Sequence, residues 1–392
     1  MKLAHLADLH LGFRQYHRQT PSGFNQREVD IERAFGRAVD GVIAARPDVV
    51  LVAGDLFHSV RPSNPAILFA FEQFRRLREA LPLAPIVVIA GNHDTPRSKE
   101  AGWILQLLEA AGVAVVTEAA RRLVYPQLDL SILAVPHGSL IGPERPALRP
   151  EGAAKHQVLM THGEVEGIFP TDRTAVEYGG AILRASELSA AGWGYVALGH
   201  YHVQCEVASR VWYCGALEYV SPNPWGELKD EAARHRSGKG WLLVDLDKGE
   251  VRDQPNAPAR GVMDLNPIEG AGHPAASLDE LVAERVKGVP GGIADQILRL
   301  VIYNVPRHVG REMNHAAVRG YMAEALHFQL DLRRPEAHRE VGMGAPGRRQ
   351  TLPEIVSAYL SRRPLPAELD RAAFVQLGTG LIDAVERDWA ES

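Results

Sequence analysis

Ten residues that can bind divalent metals or transfer protons occur in five short motifs in the first half of this 392-residue chain. Each motif follows a short apolar run. The residues are Asp8 and His10, Asp55 and His58, Asn92 with His93 and Asp94, His162, and His200 with His202. Oxygen and imidazole ligands suit manganese, iron or zinc. The set is large enough for two metal ions, and a metal pair typically catalyses the hydrolysis of phosphate esters.

Asp55 is the natural bridging ligand in this set, because a carboxylate has two oxygens and can bind two metals. A metal pair activates water, aligns it with the phosphorus and neutralises charge on the phosphoryl oxygens. The leaving alkoxide still needs a proton, which a histidine that binds no metal can supply. His93 is the candidate for this general acid, and Asp94 is the candidate for the group that orients it.

The motifs follow apolar segments that alternate with helical segments. Strands are predicted at residues 3–7, 49–53, 86–90, 113–116, 130–135, 157–160, 195–198 and 240–245, a hairpin at 203–214, and helices at 31–45, 67–81 and 103–111. Uninterrupted apolar strands between helices indicate sheets that are buried on both faces. We therefore predict an α/β fold, a two-sheet α/β sandwich with helices outside. Sites in open α/β sheets lie beyond the carboxyl ends of the strands, so we expect the five motifs to converge.

The composition changes after the predicted sandwich, which spans residues 1–254. Residues 254–258 contain two prolines and an asparagine and are predicted as a linker. Residues 262–340 are predicted as a small α+β domain, and residues 299–349 hold nine arginines against five acidic residues. Residues 341–349 are glycine-rich and predicted as a flexible tether. Residues 350–392 are predicted as a C-terminal helical segment with amphipathic helices at 352–360 and 367–390.

Charge and hydropathy exclude few classes of protein. The formal net charge is −5, which does not exclude nucleic-acid binding, because phosphate binding depends on local positive patches. No apolar run approaches the roughly 20 residues that span a bilayer, and the first residues lack the pattern of a signal peptide. We therefore expect a cytoplasmic protein without membrane contact. Two cysteines, Cys205 and Cys214, are too few for a disulfide scaffold.

The motif set resembles that of the calcineurin-like metallophosphoesterases. More closely, it resembles the SbcD and Mre-eleven nucleases of DNA double-strand-break repair. The features that carry this closer resemblance are the segment from Gln26 to Asp30 after the first motif, Arg61-Pro62 after the second, and both Gly215 to Glu218 and Lys239-Gly240 after the last. The resemblance covers about residues 1–250.

The resemblance implies a metallophosphoesterase sandwich with a capping domain and a ligand set. One metal ion would be held by Asp8, His10, Asp55 and His202, and the other by Asp55, Asn92, His162 and His200. The metal implied is manganese. His93 would donate the proton to the leaving group, and His58 would position the scissile phosphate.

The resemblance also implies partners. The protein would be a DNA exonuclease and endonuclease acting on duplex ends and single strands, and would be associated with the nucleoid. The domain at residues 262–340 would guide DNA. Residues 350–392 would dock on an SbcC/Rad-fifty-type ATPase, and a homodimer would form through helices of the catalytic domain.

Two other readings remain open from the sequence. One is a phosphoesterase that acts on small nucleotides, lipids or phosphoproteins. Such enzymes need little beyond the sandwich, whereas this chain has about 140 further residues. The other is an inactive scaffold that binds DNA ends. Loss of a ligand would be its signature, and every ligand of the predicted set is present.

Overall fold

The computed structural model describes residues 1–96, 102–168, 181–189, 192–236, 238–335, 352–363, 365 and 369–390. The chain forms two compact units, residues 1–335 and 336–392. The predicted tether at 341–349, residues 336–340 of the predicted capping domain, and residues 350 and 351 lie outside the described residues. The division of the first unit into domains near residue 254 remains a prediction.

The first of two six-stranded sheets contains the strands that precede the first three motifs. Its strands, in spatial order, are β14 (Glu250–Pro255), β13 (Gly240–Asp245), β1 (Lys2–Leu6), β2 (Val49–Val52), β3 (Ile86–Ile89) and β4 (Ala114–Val116). Strands β1 to β4 are parallel, β13 is antiparallel to β1, and β14 is antiparallel to β13. The parallel core therefore presents the carboxyl ends of β1, β2 and β3 at one edge.

The second six-stranded sheet contains the strands that precede the last two motifs. Its order is β11 (Cys205–Ala208), β12 (Val211–Tyr213), β10 (Tyr195–Gly199), β7 (His156–His162), β6 (Leu130–Val135) and β5 (Arg121–Tyr125). Strands β12, β10, β7 and β6 are parallel, and the outer strands β11 and β5 are antiparallel to their neighbours. A small parallel pair, β8 (Glu164–Val165) and β9 (Ile182–Leu183), lies apart from it.

The inner strands β6 and β10 of the second sheet are buried at every residue because their two faces enter different cores. On β7, Val158 and Met160 join the core that contains the first sheet, whereas Leu159 joins a second core with Leu183 and Trp193. The predicted two-sheet sandwich is confirmed, and the continuous apolar runs follow from burial on both faces.

Helices complete the sandwich. They are α1 (Gln26–Ala45), α2 (Asn64–Ala80), α3 (His137–Ile141), α4 (Ala185–Ser189) and α5 (Pro224–Ala233), with 3-10 helices at Ile104–Ala111 and Pro126–Leu128. Helix α1 begins after Asn25, whose side chain accepts a hydrogen bond from the backbone of Arg27, and buries an apolar stripe against the first sheet. The helix predicted at 103–111 is a 3-10 helix.

Residues 262–335, here called the cap, have their own small core. The cap consists of β15 (Val262–Glu269), α6 (Ala275–Lys287), β16 (Ile297–Tyr303), α7 (Arg307–Glu312), α8 (His315–Glu324) and β17 (His327–Leu332). Its three strands form a parallel sheet in the order β15, β16, β17. The described residues contain the predicted mixture of helices and strands, but the strands alternate with helices and are parallel, so the cap is α/β and not α+β.

The cap contacts the sandwich through several groups of residues. The Tyr16 ring stacks on the His327 ring with centroids 4.0 Å apart, and Arg18 donates to the carbonyls of Ala323 and Ala325 at 2.6 and 2.8 Å. Tyr219 and Trp225 of the sandwich pack with Val262, Ile297 and Leu326 of the cap. Arg260, which precedes the cap, donates to the buried Asp30 carboxylate at 2.8 Å and to the Asp295 carbonyl at 3.1 Å.

The predicted linker at 254–258 is wrong at its first three residues. Gln254 and Pro255 end strand β14, and the Asn256 side chain is buried and donates to the carbonyls of Ala34 and Leu217 at 3.2 and 3.1 Å. Proline is tolerated there because β14 is an edge strand. Residues 254–256 therefore form the end of a strand and a buried contact, and not a flexible linker.

The described residues of the second unit form two helices, α9 (Leu352–Arg362) and α10 (Arg371–Ala390). They pack closely, because Gly378 of α10 leaves the space that the Leu360 side chain occupies. Ile355, Tyr359, Leu377 and Leu381 remain exposed. In the part of the chain that the structure describes, no helix combines the length and the apolar character that a bilayer crossing requires.

Candidate metal centre

All five sequence motifs meet at one edge of the sandwich. Asp8 and His10 follow β1, Asp55 and His58 follow β2, and Asn92, His93 and Asp94 follow β3. From the other sheet, His162 ends β7, and His200 and His202 follow β10. The strands within each sheet are parallel neighbours, so their carboxyl ends place side chains from distant parts of the chain within contact distance.

Asp8, His10 and His202 form the first cluster. Each offers a ligand atom within 4.8 Å of the others, and all three side chains are buried. The Nε2 atoms of His10 and His202 face each other at 3.2 Å. The Asp8 Oδ1 atom accepts the backbone N–H of His200 at 2.8 Å, which ties the two sheets together at the cluster.

Asp55, Asn92, His162 and His200 form the second cluster. Asp55, His162 and His200 offer ligand atoms within 4.8 Å of one another. The Asn92 Oδ1 atom lies 2.9 Å from His162 Nε2 and 3.0 Å from His200 Nδ1. The predicted second ligand set is thus brought together around one small space.

Asp55 connects the two clusters. Its Oδ2 atom lies 3.3 Å from His162 Nε2 in the second cluster and 3.7 Å from His10 Nε2 in the first. Its Oδ1 atom accepts the backbone N–H of His93 at 2.9 Å. This is the position that the sequence predicts for a bridging carboxylate.

The donor set fits two divalent cations. The Oδ2 atoms of Asp8 and Asp55 are buried and have no hydrogen-bond partner among the residues described. Buried carboxylate oxygens are costly unless hydrogen bonds or cations compensate them. Two such oxygens, surrounded by imidazole nitrogens and an amide oxygen, match the chemistry of a metal pair.

The backbone at the centre adopts conformations that most residues avoid. Asp8, His10, Asp55 and His200 have positive φ values of 53°, 46°, 50° and 105°. Non-glycine residues in this region are strained, and such strain clusters at functional sites. Aspartate and histidine tolerate it better than most side chains.

The glycines of two motifs keep space free for the ligands. A Cβ atom on Gly91 would lie 2.1 Å from Asp55 Oδ1, and one on Gly54, whose φ is +91°, would lie 2.4 Å from His162 Nδ1. The glycines before Asp55 and Asn92 are therefore required by close packing at the centre.

The electrostatics of the centre favour a cation. Burial raises the pKa of Asp8 to about 6, although the nearby imidazoles of His162 and His202 oppose this shift. Burial lowers the pKa of His162, but the carboxylates of Asp55 and Asp8 outweigh it and raise that pKa to about 9. The centre thus retains protons near neutral pH, and cations that bind there would displace them.

His58 and His93 lie beside the clusters. The His93 ring stacks on the His58 ring with centroids 5.0 Å apart, and His93 Nδ1 lies 2.8 Å from the His58 carbonyl. His58 Nδ1 lies 3.2 Å from His10 Nδ1. His10, His58 and His93 form a further group whose nitrogens lie within 4.8 Å of one another.

The Asp94 side chain joins two turns of the backbone at the centre. Its buried carboxylate accepts backbone N–H groups from Leu56, Phe57 and Gly91 at 3.1, 3.0 and 3.1 Å. These contacts join the turn after β2 to the turn after β3. The His58 carbonyl lies within hydrogen-bond distance of the His93 ring, and the orienting role of Asp94 stays a prediction.

Sequence reasoning missed a charged group behind His202. Lys239 contacts Glu227 and lies 2.9 Å from Glu231, and all three side chains are buried. Burial raises the pKa of Glu227, but the Lys239 ammonium and His202 outweigh it and hold that pKa down to about 2. The only sequence signal was Lys239-Gly240 before a strand, and the two glutamates carried none.

Comparisons with known proteins show which families this chain is similar to. The calcineurin-like phosphoesterase family model matches residues 1–204. DNA double-strand break repair protein Mre11 of Saccharolobus solfataricus is 27% identical over 63% of this chain and 61% of that protein. The protein of the same name from Methanopyrus kandleri is 27% identical over 69% of this chain and 60% of that protein.

The chain therefore spans about 60% of the length of these two curated relatives. A solved structure, that of Pseudomonas putida nuclease MPE, is similar at a TM-score of 0.21 and 18% identity, covering 40% of this chain and 58% of that chain.

Proposed function

The chain belongs to the calcineurin-like phosphoesterases, a family of metal-dependent hydrolases, and from this premise we propose that it is a DNA nuclease of double-strand-break repair. It would hydrolyse phosphodiester bonds as an exonuclease and endonuclease by a two-metal mechanism. The observation that carries the proposal is the position of Asp55 between two ligand clusters, with the backbone of His93 bound to the same carboxylate.

Two manganese ions are the proposed cofactors. Asp8, His10, Asp55 and His202 would hold one, and Asp55, Asn92, His162 and His200 would hold the other. Bound there, the ions supply Lewis-acid activation of a water molecule and of the phosphoryl group. Imidazole and carboxylate ligands suit manganese, although they also suit iron and zinc.

His93 is the proposed general acid. The His58 carbonyl accepts a hydrogen bond from its Nδ1 atom and so stabilises the doubly protonated ring. The Nε2 proton is then the one to be transferred to the leaving oxygen. The stacked His58 ring holds the His93 ring in place and would help to position the phosphate.

DNA is the proposed substrate. The relatives reported above are named as DNA double-strand break repair proteins, and the cap offers groups that suit a polyanion. Arg307, Arg311 and Arg319 are exposed on α7 and α8, where they can contact phosphates without reading the base sequence. The protein would then be associated with the nucleoid in the cytoplasm.

Two protein partners are proposed with the nuclease activity. Helices α9 and α10 would dock on an SbcC/Rad-fifty-type ATPase through the exposed Ile355, Tyr359, Leu377 and Leu381. A homodimer would form through helices of the catalytic domain. Leu68 on α2 and Leu83 just after it are exposed apolar residues that such a contact would cover.

Cleavage of an end-labelled duplex with manganese tests the substrate. A small phosphodiester is assayed in parallel, with Asp55→Ala as the control for both. Degradation of the duplex that disappears in the control supports the proposal, and it should weaken steeply with salt, because DNA binding releases counterions. Turnover of the small ester without duplex cleavage, also after addition of the ATPase, would favour a phosphoesterase of small substrates.

A further inference from the structure

A buried group of three charged side chains lies directly behind one of the predicted metal ligands. Glu227 and Glu231 project from α5 one helical turn apart, and Lys239 precedes β13. The Lys239 ammonium contacts both carboxylates, and the exposed fractions of the three side chains are 5% or less. Buried charges are costly, so such a group is expected where it serves a purpose besides stability.

Only one of the two carboxylates faces a predicted ligand. The Glu227 Oε1 atom lies 3.7 Å from His202 Nδ1, within reach of a small ring rotation. The opposite nitrogen of the same ring, Nε2, faces His10 in the first cluster. Glu231 instead accepts a hydrogen bond from the Tyr219 hydroxyl at 3.0 Å.

The same group also holds the backbone of His202. Lys239 Nζ donates to the His202 carbonyl at 3.1 Å, and the backbone N–H of Ala216 donates to the same oxygen at 3.1 Å. The backbone N–H of Ser221 in turn donates to Glu227 Oε1 at 3.0 Å. Both the main chain and the ring of His202 are therefore held by contacts on the side that faces away from the first cluster.

This geometry determines which nitrogen of His202 is available to a metal. A neutral imidazole carries one proton, and an adjacent acceptor decides which nitrogen holds it. With the Glu227 carboxylate beside Nδ1, the proton stays on Nδ1, and the lone pair of Nε2 points into the first cluster. Carboxylates placed in this way orient metal-binding histidines and make them better ligands.

We propose that Glu227 is a positioning residue for the metal that His202 binds, with Lys239 as the group that holds Glu227 in place. The proposal rests on the metal centre of the proposed function. It assigns different roles to Glu227 and Glu231, although they share a helix, a lysine partner and a similar degree of burial.

Glu231 provides the matched control. The variants Glu227→Ala and Glu231→Ala each remove one buried carboxylate and leave Lys239 paired with the other. Glu227→Gln is the conservative variant, because its amide oxygen can still accept the Nδ1 proton without the negative charge. Manganese binding to the full chain is measured by calorimetric titration, and the spectrum of the loaded protein is recorded by electron paramagnetic resonance.

We expect Glu227→Ala to bind one of two manganese ions about 100-fold more weakly and Glu227→Gln about tenfold more weakly. At a manganese concentration that just fills both sites of the unaltered protein, Glu227→Ala should then show the spectrum of an isolated ion, where the unaltered protein shows a coupled pair. Glu231→Ala should bind both ions as the unaltered protein does. Thermal unfolding of each metal-free variant reports its stability separately, and Glu227→Gln carries the test if Glu227→Ala does not fold.

Three outcomes would overturn the proposal. The first is an unchanged manganese affinity in both Glu227 variants. The second is an equal weakening of both bound ions in either Glu227 variant. The third is a weakening of one ion in Glu231→Ala that matches the weakening in Glu227→Ala. The measurement does not depend on cleavage. If the unaltered protein binds two ions but leaves DNA intact, the proposed function fails while the role of Glu227 is still decided.

Discussion

Replacing His93 by alanine should slow cleavage of a DNA phosphodiester by about 10²–10⁴-fold, the usual contribution of a general acid. This corresponds to about 2.7–5.4 kcal/mol of transition-state stabilisation. The upper half of the range is expected, because the ring is fixed by its hydrogen bond to the His58 carbonyl and by stacking on the His58 ring.

Metal binding should survive this substitution. The contact between His93 and Asp55 is made by the backbone N–H, which alanine retains. The His93→Ala variant should therefore bind two manganese ions with nearly unchanged affinity, as measured by calorimetric titration.

The leaving group separates an acid from other roles. The alkoxide that leaves a DNA strand needs a proton, whereas the anion released from bis-p-nitrophenyl phosphate is stable near neutral pH. Turnover of that ester should consequently fall much less than cleavage of DNA in the same variant. Equal losses on both substrates, or the loss of a bound metal, would refute the assignment of His93 as the acid and favour a role as ligand.

Four further substitutions or conditions test other parts of the structure. Asp55→Ala should lose both metals, and elemental analysis that finds a full complement would contradict the bridging role. Asp94→Ala leaves three buried backbone donors without an acceptor, which costs about 1–3 kcal/mol for each donor. Denaturant unfolding should therefore show that the free energy of unfolding decreases by at least about 3 kcal/mol. A smaller decrease would mean that water replaces the carboxylate. Burial lowers the pKa of His5 from 6.5 to about 3. Below about pH 6.5 the unfolded state therefore binds a proton on His5 that the folded state does not bind, and the free energy of unfolding decreases as the pH is lowered. Lowering the pH from about 6.5 to 4.5 should reduce the free energy of unfolding by about 2–3 kcal/mol through this group. The His5→Gln variant should not show this part of the decrease in the same unfolding experiment. Deleting residues 350–392 should preserve turnover of the small ester and abolish co-purification with the ATPase, and retained binding would disprove the docking role.

The strands that position the centre were predictable because both of their faces are buried. Strands β2 and β3 are buried at every residue, so their sequences are uninterrupted apolar runs. Strands β14 and β15 were not predicted, since β14 is a largely exposed edge strand and β15 buries only Val262 and Ile268. A strand with little burial carries little hydrophobic pattern.

Helix α5 was not predicted because its buried face carries charged residues. It buries Glu227 and Glu231 where the helical pattern requires apolar residues, so its inward face looks like a solvated one. The charges are compensated by Lys239, which lies outside α5 and just before β13. Local patterns cannot reveal a charge whose partner comes from another element.

The candidate ligands were predictable because each directly follows a strand, and parallel strands bring such residues together. The backbone contacts of Asp94 were not predictable. Its partners are backbone N–H groups of two turns, and these groups are the same in every sequence. Only the fold brings them to one carboxylate.

The left-handed backbone at Asp8, His10, Asp55 and His200 has a consequence for engineering this protein. Strained non-glycine residues cost of order 1–3 kcal/mol each, and together they approach the net stability of a typical domain. Glycine at any of these positions would relieve strain but remove a ligand, so screens for heat resistance should select variants that have lost metals. Thermostabilisation that preserves activity should therefore come from sites far from the centre, such as the exposed surface of the cap.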